Sequence, residues 1–126
     1  MHERRRHRSE IPGEAARLYL QAVAERQGLA ALTLANDDGL LIAGVSRAPQ
    51  PIELDWVAAV GCVCAGSGPR GAALGARVQR VTGGRGLASA ALSLLGETLH
   101  VTAVGGPLPP RAEIATALER IFVPSL

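Results

Sequence analysis

LAALTLANDDGLLIAGVS, residues 29–46, consists of two nearly uncharged apolar runs joined by Asn36-Asp37-Asp38-Gly39. Glycine adopts positive φ freely, and Asn and Asp tolerate it better than most residues. The polar tetrad therefore predicts a tight turn, and the runs around it a β-hairpin. The first run, Leu29 to Ala35, does not alternate in polarity. A strand that is apolar on both faces has to be covered on both faces, so the hairpin predicts an α/β sandwich with helices on each side of a sheet.

Upstream, Pro12 to Gln27 reads as an amphipathic helix. Leu18, Tyr19, Ala22 and Val23 recur at three- and four-residue spacing, Pro12 suits the first turn, and Gly28 suits the position just past the end. Downstream, Pro51 opens a second helix with Glu53 and Asp55 in its first turn, and no charge follows from Trp56 to Pro69. On a wheel, Ile52, Trp56, Ala59 and Val63 share one face, while Leu54, Val57, Ala58, Gly61 and Ala65 share the other. A helix apolar all round is buried or membrane-bound, and this one is too short to span a bilayer.

The last third carries three strand signals: the alternating Arg77-Val78-Gln79-Arg80-Val81, the small and aliphatic run Leu87–Leu95, and the alternating Thr98–Val104. A final amphipathic helix follows over residues 110–122, with Ile114, Ala117, Leu118 and Ile121 inward. The predicted order is α-β-β-α-β-β-β-α, an α+β sandwich on a five-stranded, mostly antiparallel sheet. Residues 12–123 form one domain behind a flexible Arg-rich tail, residues 1–11.

Composition narrows the chemistry. The chain has 126 residues, 48% of them hydrophobic, and its aromatics are Tyr19, Trp56 and Phe122 alone. That length and composition fit one folded domain with an aliphatic core. All thirteen basic residues are arginine, which excludes a Walker A lysine, a Schiff-base lysine and a lysine base. Residues 1–10 hold four Arg and two Glu, so the rest is neutral, with nine residues of each sign. A neutral domain without aromatic-basic interleaving makes a poor nucleic-acid platform. An arginine-rich tail would at most attract acidic lipid, nucleic acid or an acidic partner. Cys62 and Cys64 lie too close together to staple distant segments, and no apolar stretch resembles a signal peptide or a span. A reduced, cytoplasmic setting is expected.

The element order, the LTLANDDGLLIAGVS hairpin directly after the first helix, and the VGGPLPPRAEI passage into the last helix resemble the Roadblock/dynein light chain family. The likeness covers roughly residues 12–122, nearly the whole chain. It implies a five-stranded sheet with the middle helix on one face and the terminal helices on the other. It also implies dimers built through the middle helix and third strand, and a non-enzymatic role as regulator or partner of Ras-like small GTPases. The Gly-rich connection GSGPRGAALGA and the arginine tail depart from the pattern.

The residues independently favour a dimer. A lone domain would leave Leu54, Val57, Ala58, Gly61 and Ala65 in water, and large apolar patches mark interaction sites. Gly61 inside a helix costs about 1 kcal/mol relative to Ala, which close approach by another backbone would explain. Val78 and Arg80 would lie on the pairing strand, although charge at an edge usually blocks pairing.

Other motifs carry less. Gly66-Ser67-Gly68-Pro69-Arg70-Gly71 spells GxGxxG, but a helix precedes it and the next acid is Glu97, so it reads as a loop and no cofactor is expected. Cys62 and Cys64, two apart on a helix, point in different directions and read as small hydrophobes, and the aspartates of the turn lack the further oxygens of a calcium loop. No metal is expected. His100 has no visible nucleophile and reads as a hydrogen-bonded, partly buried residue. Arg70 and Arg85 sit in Gly-rich loops where either could contact a GTPase, since an arginine supplied in trans can raise hydrolysis by roughly 10³–10⁵. The leading expectation is a homodimeric regulator of a small GTPase. The alternative is a dimeric scaffold that leaves GTP turnover unchanged, and a third possibility, a small-ligand sensor, would need a polar pocket.

Overall fold

The computed structural model describes residues 2–47, 52–64, 80, 85–94 and 96–122, with side chains at 13–47, 52–62, 80, 85–94 and 96–122. The elements in chain order are α1 (His2–Gln27), β1 (Ala31–Asn36), β2 (Leu41–Ser46), α2 (Leu54–Cys64), β3 (Leu87–Leu94), β4 (Glu97–Val104) and α3 (Arg111–Phe122). The strands form one antiparallel sheet in the order β2-β1-β4-β3.

The hairpin forms as the polar tetrad dictates. The Asn36 side-chain oxygen accepts from the amides of Asp38 (2.9 Å) and Leu40 (3.0 Å), Gly39 N–H donates to the Asn36 carbonyl, and Gly39 takes φ +82°. An Asx side chain bonding forward in this way stands in for a backbone turn. β1 is buried over Ala31–Ala35, four aliphatic residues and the fully buried Thr33.

Each face of the sheet has its own core. Leu32, Leu34, Val101, Ala103, Leu92 and Leu94 pack under α1 and α3 with Leu20, Val23, Ile114 and Leu118. On the other face, Ala31 and Val104 meet Val57 of α2, with Ile52, Leu54 and Leu87 at the margin. The prediction of a sheet covered on both faces holds.

Three expectations change. α1 begins at His2 rather than Pro12; the upstream stretch lacks Gly and Pro and is rich in Arg and Glu, which are good helix formers. Among its described side chains Ala16, Leu20, Val23 and Ala24 are buried, with Leu18 exposed, so the apolar stripe is rotated from the one expected. The helix ends as Gly28 predicts: φ is +69°, and Leu29 N–H reaches back to the Ala24 carbonyl at 2.9 Å.

The described residues form four strands rather than five. Arg80, placed by the sequence on a strand, is helical and exposed, and the rest of that segment lies outside the described residues. Five residues alternating as Arg-Val-Gln-Arg-Val also put Arg77 with Arg80, and Val78 with Val81, at i, i+3, which is equally a helical pattern. The third change concerns which side of α2 faces inward.

Candidate functional site

α2 lies across a sheet face built from small and polar side chains. Thr33, Gly44, Ser89, His100 and Thr102 share that face with Ala31 and Val104, as the strand register requires. Such a surface admits a helix only by its small-residue side. Val57 and Ala58 are fully buried, and Val60 and Gly61 are buried beside them. A Cβ on Gly61 would lie 2.7 Å from both Cβ and Cγ2 of Thr102. The Ser89 hydroxyl donates to the Gly61 carbonyl at 2.8 Å and lies 3.0 Å from the Thr102 hydroxyl. What approaches Gly61 is therefore the Thr102 side chain of β4 in the same chain.

This reverses the face expected at an interface. Val57, Ala58 and Gly61 are interior to the protomer, and Leu54 is half-buried with its Cδ1 against Gly44. The outward side carries Asp55, Trp56 and Ala59, with Trp56 51% exposed. The expectation put the bulky side chains toward the core, yet Trp56 is too large to fit where Gly61 meets Thr102. Gly39 lies against Ala59, the Cα of which would be 3.5 Å from an added Cβ, and the next residue, Leu40, is 65% exposed. Trp56 and Ala59, one helical turn apart, thus form an outward apolar strip on α2, and the exposed Leu40 follows the glycine that meets Ala59 in the hairpin turn. The sequence already groups Trp56 with Ala59 on one side of the helix. Only the small-residue face of the sheet reveals that this side is outward.

Of the other residues singled out, Ala65, Val78 and Arg70 lie outside the described residues, as does the GxGxxG stretch. Arg80 is on no strand, and Arg85 is exposed at the start of β3.

The hairpin turn is also tied to β4. His100 is buried, with Nε2 2.9 Å from Asp37 Oδ1, whereas the Asp37 carboxylate is largely exposed. The Cys62 thiol donates to the Asp37 carbonyl at 3.4 Å. Burial first, then Asp37 and Asp38, push that thiol above its ordinary value. A thiol held protonated is the opposite of an activated nucleophile. The link between Asp37 and His100 spans 63 residues of sequence, which local pattern could not reveal. No group of three or more His, Cys, Asp or Glu able to hold a metal occurs among the described residues. No helix among them is long and apolar enough to cross a membrane.

No protein-family profile and no curated protein matches the sequence. Among solved structures, the gliding protein MglB from Thermus thermophilus aligns at 21% identity over 87% of this chain and 90% of that one, with a TM-score of 0.51. A structure of MglB with a tetrameric arrangement aligns at 18% identity over 89% of this chain and 85% of that one, with a TM-score of 0.49. The first of these shares the overall arrangement of the chain, which has a Roadblock-type fold.

Proposed function

We propose that this protein is a non-enzymatic, homodimeric partner of a Ras-like small GTPase in the cytoplasm, acting on its nucleotide cycle or its location. The observation that carries the reading is the outward strip of α2: Trp56 half-exposed, Ala59 beside it and Leu40 at its margin, on a helix whose other side is already filled. Exposed aromatic groups in an apolar strip are what interfaces are built on. A second copy is the occupant that the Roadblock resemblance implies for the middle helix. The interface is assigned to Trp56, Ala59 and Leu40 in place of Val57, Ala58 and Gly61. Arg70 and Arg85 are the side chains proposed to contact the GTPase.

GTP hydrolysis and nucleotide exchange by a candidate small GTPase, measured with and without the protein, test the reading. A changed rate supports regulation. Capture of the GTPase with both rates unchanged points to the scaffold, and failure to bind any small GTPase refutes the proposal. Arg70→Ala and Arg85→Ala variants that stimulate as well as the parent would remove those two residues from the contact.

A further inference from the structure

A second feature lies at the opposite end of the sheet from the β1–β2 turn, where α1 stops, β2 and β4 end and β3 begins. A cavity of about 470 Å³ opens there, lined among the described residues by Gly28, Leu29, Ala30, Gly86 and Gly105, with Arg47 and Arg85 as the charged ones. Arg47 directly follows β2 and Arg85 shortly precedes β3, the two outer strands of the described sheet, and both line the cavity. Arg47 donates from Nη1 to the carbonyls of Ala24 (2.9 Å) and Leu29 (3.5 Å), which closes the end of α1. Both of these bonds use one nitrogen of a group that carries five N–H donors. The Arg85 side chain passes over Gly105, where an added Cβ would lie 3.7 Å from its Cδ and 3.3 Å from the Ala30 amide nitrogen. Gly105 has φ +93° and Gly28 φ +69°, so glycine keeps both positions bare.

We propose that this cavity is a binding site for a phosphate-class oxyanion, held by the guanidinium groups of Arg47 and Arg85 over a glycine floor. Planar guanidinium donors match phosphate oxygens in geometry as well as charge. Three glycines let an anion approach the backbone without meeting a side chain, and none of the described residues lining the cavity is a carboxylate. The nearby carboxyl end of α1 opposes an anion, and Arg47 already engages its carbonyls. The site is separate from the α2 strip, and its test needs no GTPase.

Titrating the full-length ¹⁵N-labelled protein with inorganic phosphate, at ionic strength held constant with sodium chloride, reads the site directly. Saturable shifts centred on the amides of Gly28, Gly86 and Gly105 are expected, with affinity reduced about tenfold in Arg85→Gln, the loss of one charge-assisted contact. Arg47→Gln should weaken binding similarly. Because Arg47 also closes α1, Arg85→Gln decides the matter if the Arg47 variant fails to fold. Glycerol 3-phosphate separates the sources: tighter binding than inorganic phosphate assigns a phosphate ester, and equal binding free phosphate. Absence of saturation, shifts unchanged in Arg85→Gln, or acetate binding more tightly than phosphate would each overturn the proposal.

Discussion

Gly61 shows most sharply what a single residue decides here. With no Cβ it lets α2 settle onto Thr102 and accept a hydrogen bond from Ser89. Gly61→Ala gains about 1 kcal/mol of helix propensity but forces an overlap with backbone-anchored atoms of β4. Overpacking of this kind costs about 1–3 kcal/mol. The expected outcome is a net loss of stability in urea denaturation, partly recovered when Thr102→Ala is added. A stability gain would contradict the packing. Tyr19 offers the reverse case. Its hydroxyl is buried with no partner among the described residues, and burial first, then Glu113, raise its proton affinity above the ordinary value of 10.0, with Arg26 opposing. The folded chain therefore keeps that proton where the unfolded chain has lost it. The corresponding stability is present below pH 10 and is lost as pH rises through the folded value. Tyr19→Phe should leave the melting temperature at pH 7 equal or higher, because it removes an unsatisfied hydroxyl, and should flatten the alkaline decline. A large loss at pH 7 would contradict this. Glycines at the turn and helix end were legible because their backbone geometry is local. Gly61 and His100 owe their roles to partners far along the chain, and no spacing rule reaches those.

Among elements, the hairpin could be read from its polar turn and both terminal helices from periodicity, whereas the orientation of α2 could not. Both its sides are apolar, so the wheel alone gives no inside, and the deciding fact is the small-residue surface contributed by Thr33, Ser89 and Thr102. The segment holding Arg80 was ambiguous for a similar reason, since its five residues satisfy two periods at once. α1 continues upstream of Ala16, the first buried residue among its described side chains. We propose that the fold proper starts near Pro12 and that residues 1–10 add little to it. Deleting them should leave the thermal melting midpoint unchanged to within about 2 °C, well below the shift that 1 kcal/mol produces in a domain of this size. A markedly lower midpoint would instead assign the arginine-rich turns of α1 a place in the fold. The same deletion, assayed at low salt, shows whether those arginines attract an acidic partner, because such attraction fades as salt rises.

For the whole molecule, the contrast between the two faces of the sheet matters most. Under α1 and α3 a broad aliphatic core is closed by the chain itself. Over α2 the core that the described residues form is small, and the helix turns Trp56 to the outside. That asymmetry is the physical basis for proposing a second copy, and the regulator reading rests on it. Trp56→Asp should therefore yield a folded single copy, with far-UV circular dichroism preserved, and should abolish any effect on a partner GTPase that depends on the dimer. The most direct measurement is the mass of the unmodified protein by sedimentation velocity across micromolar concentrations. The account predicts a species of twice the 13.0 kDa chain mass, reduced to one chain mass by Trp56→Asp. A wild-type protein that stays at one chain mass throughout, with its tryptophan fluorescence as solvent-quenched as that of a free indole, would contradict it.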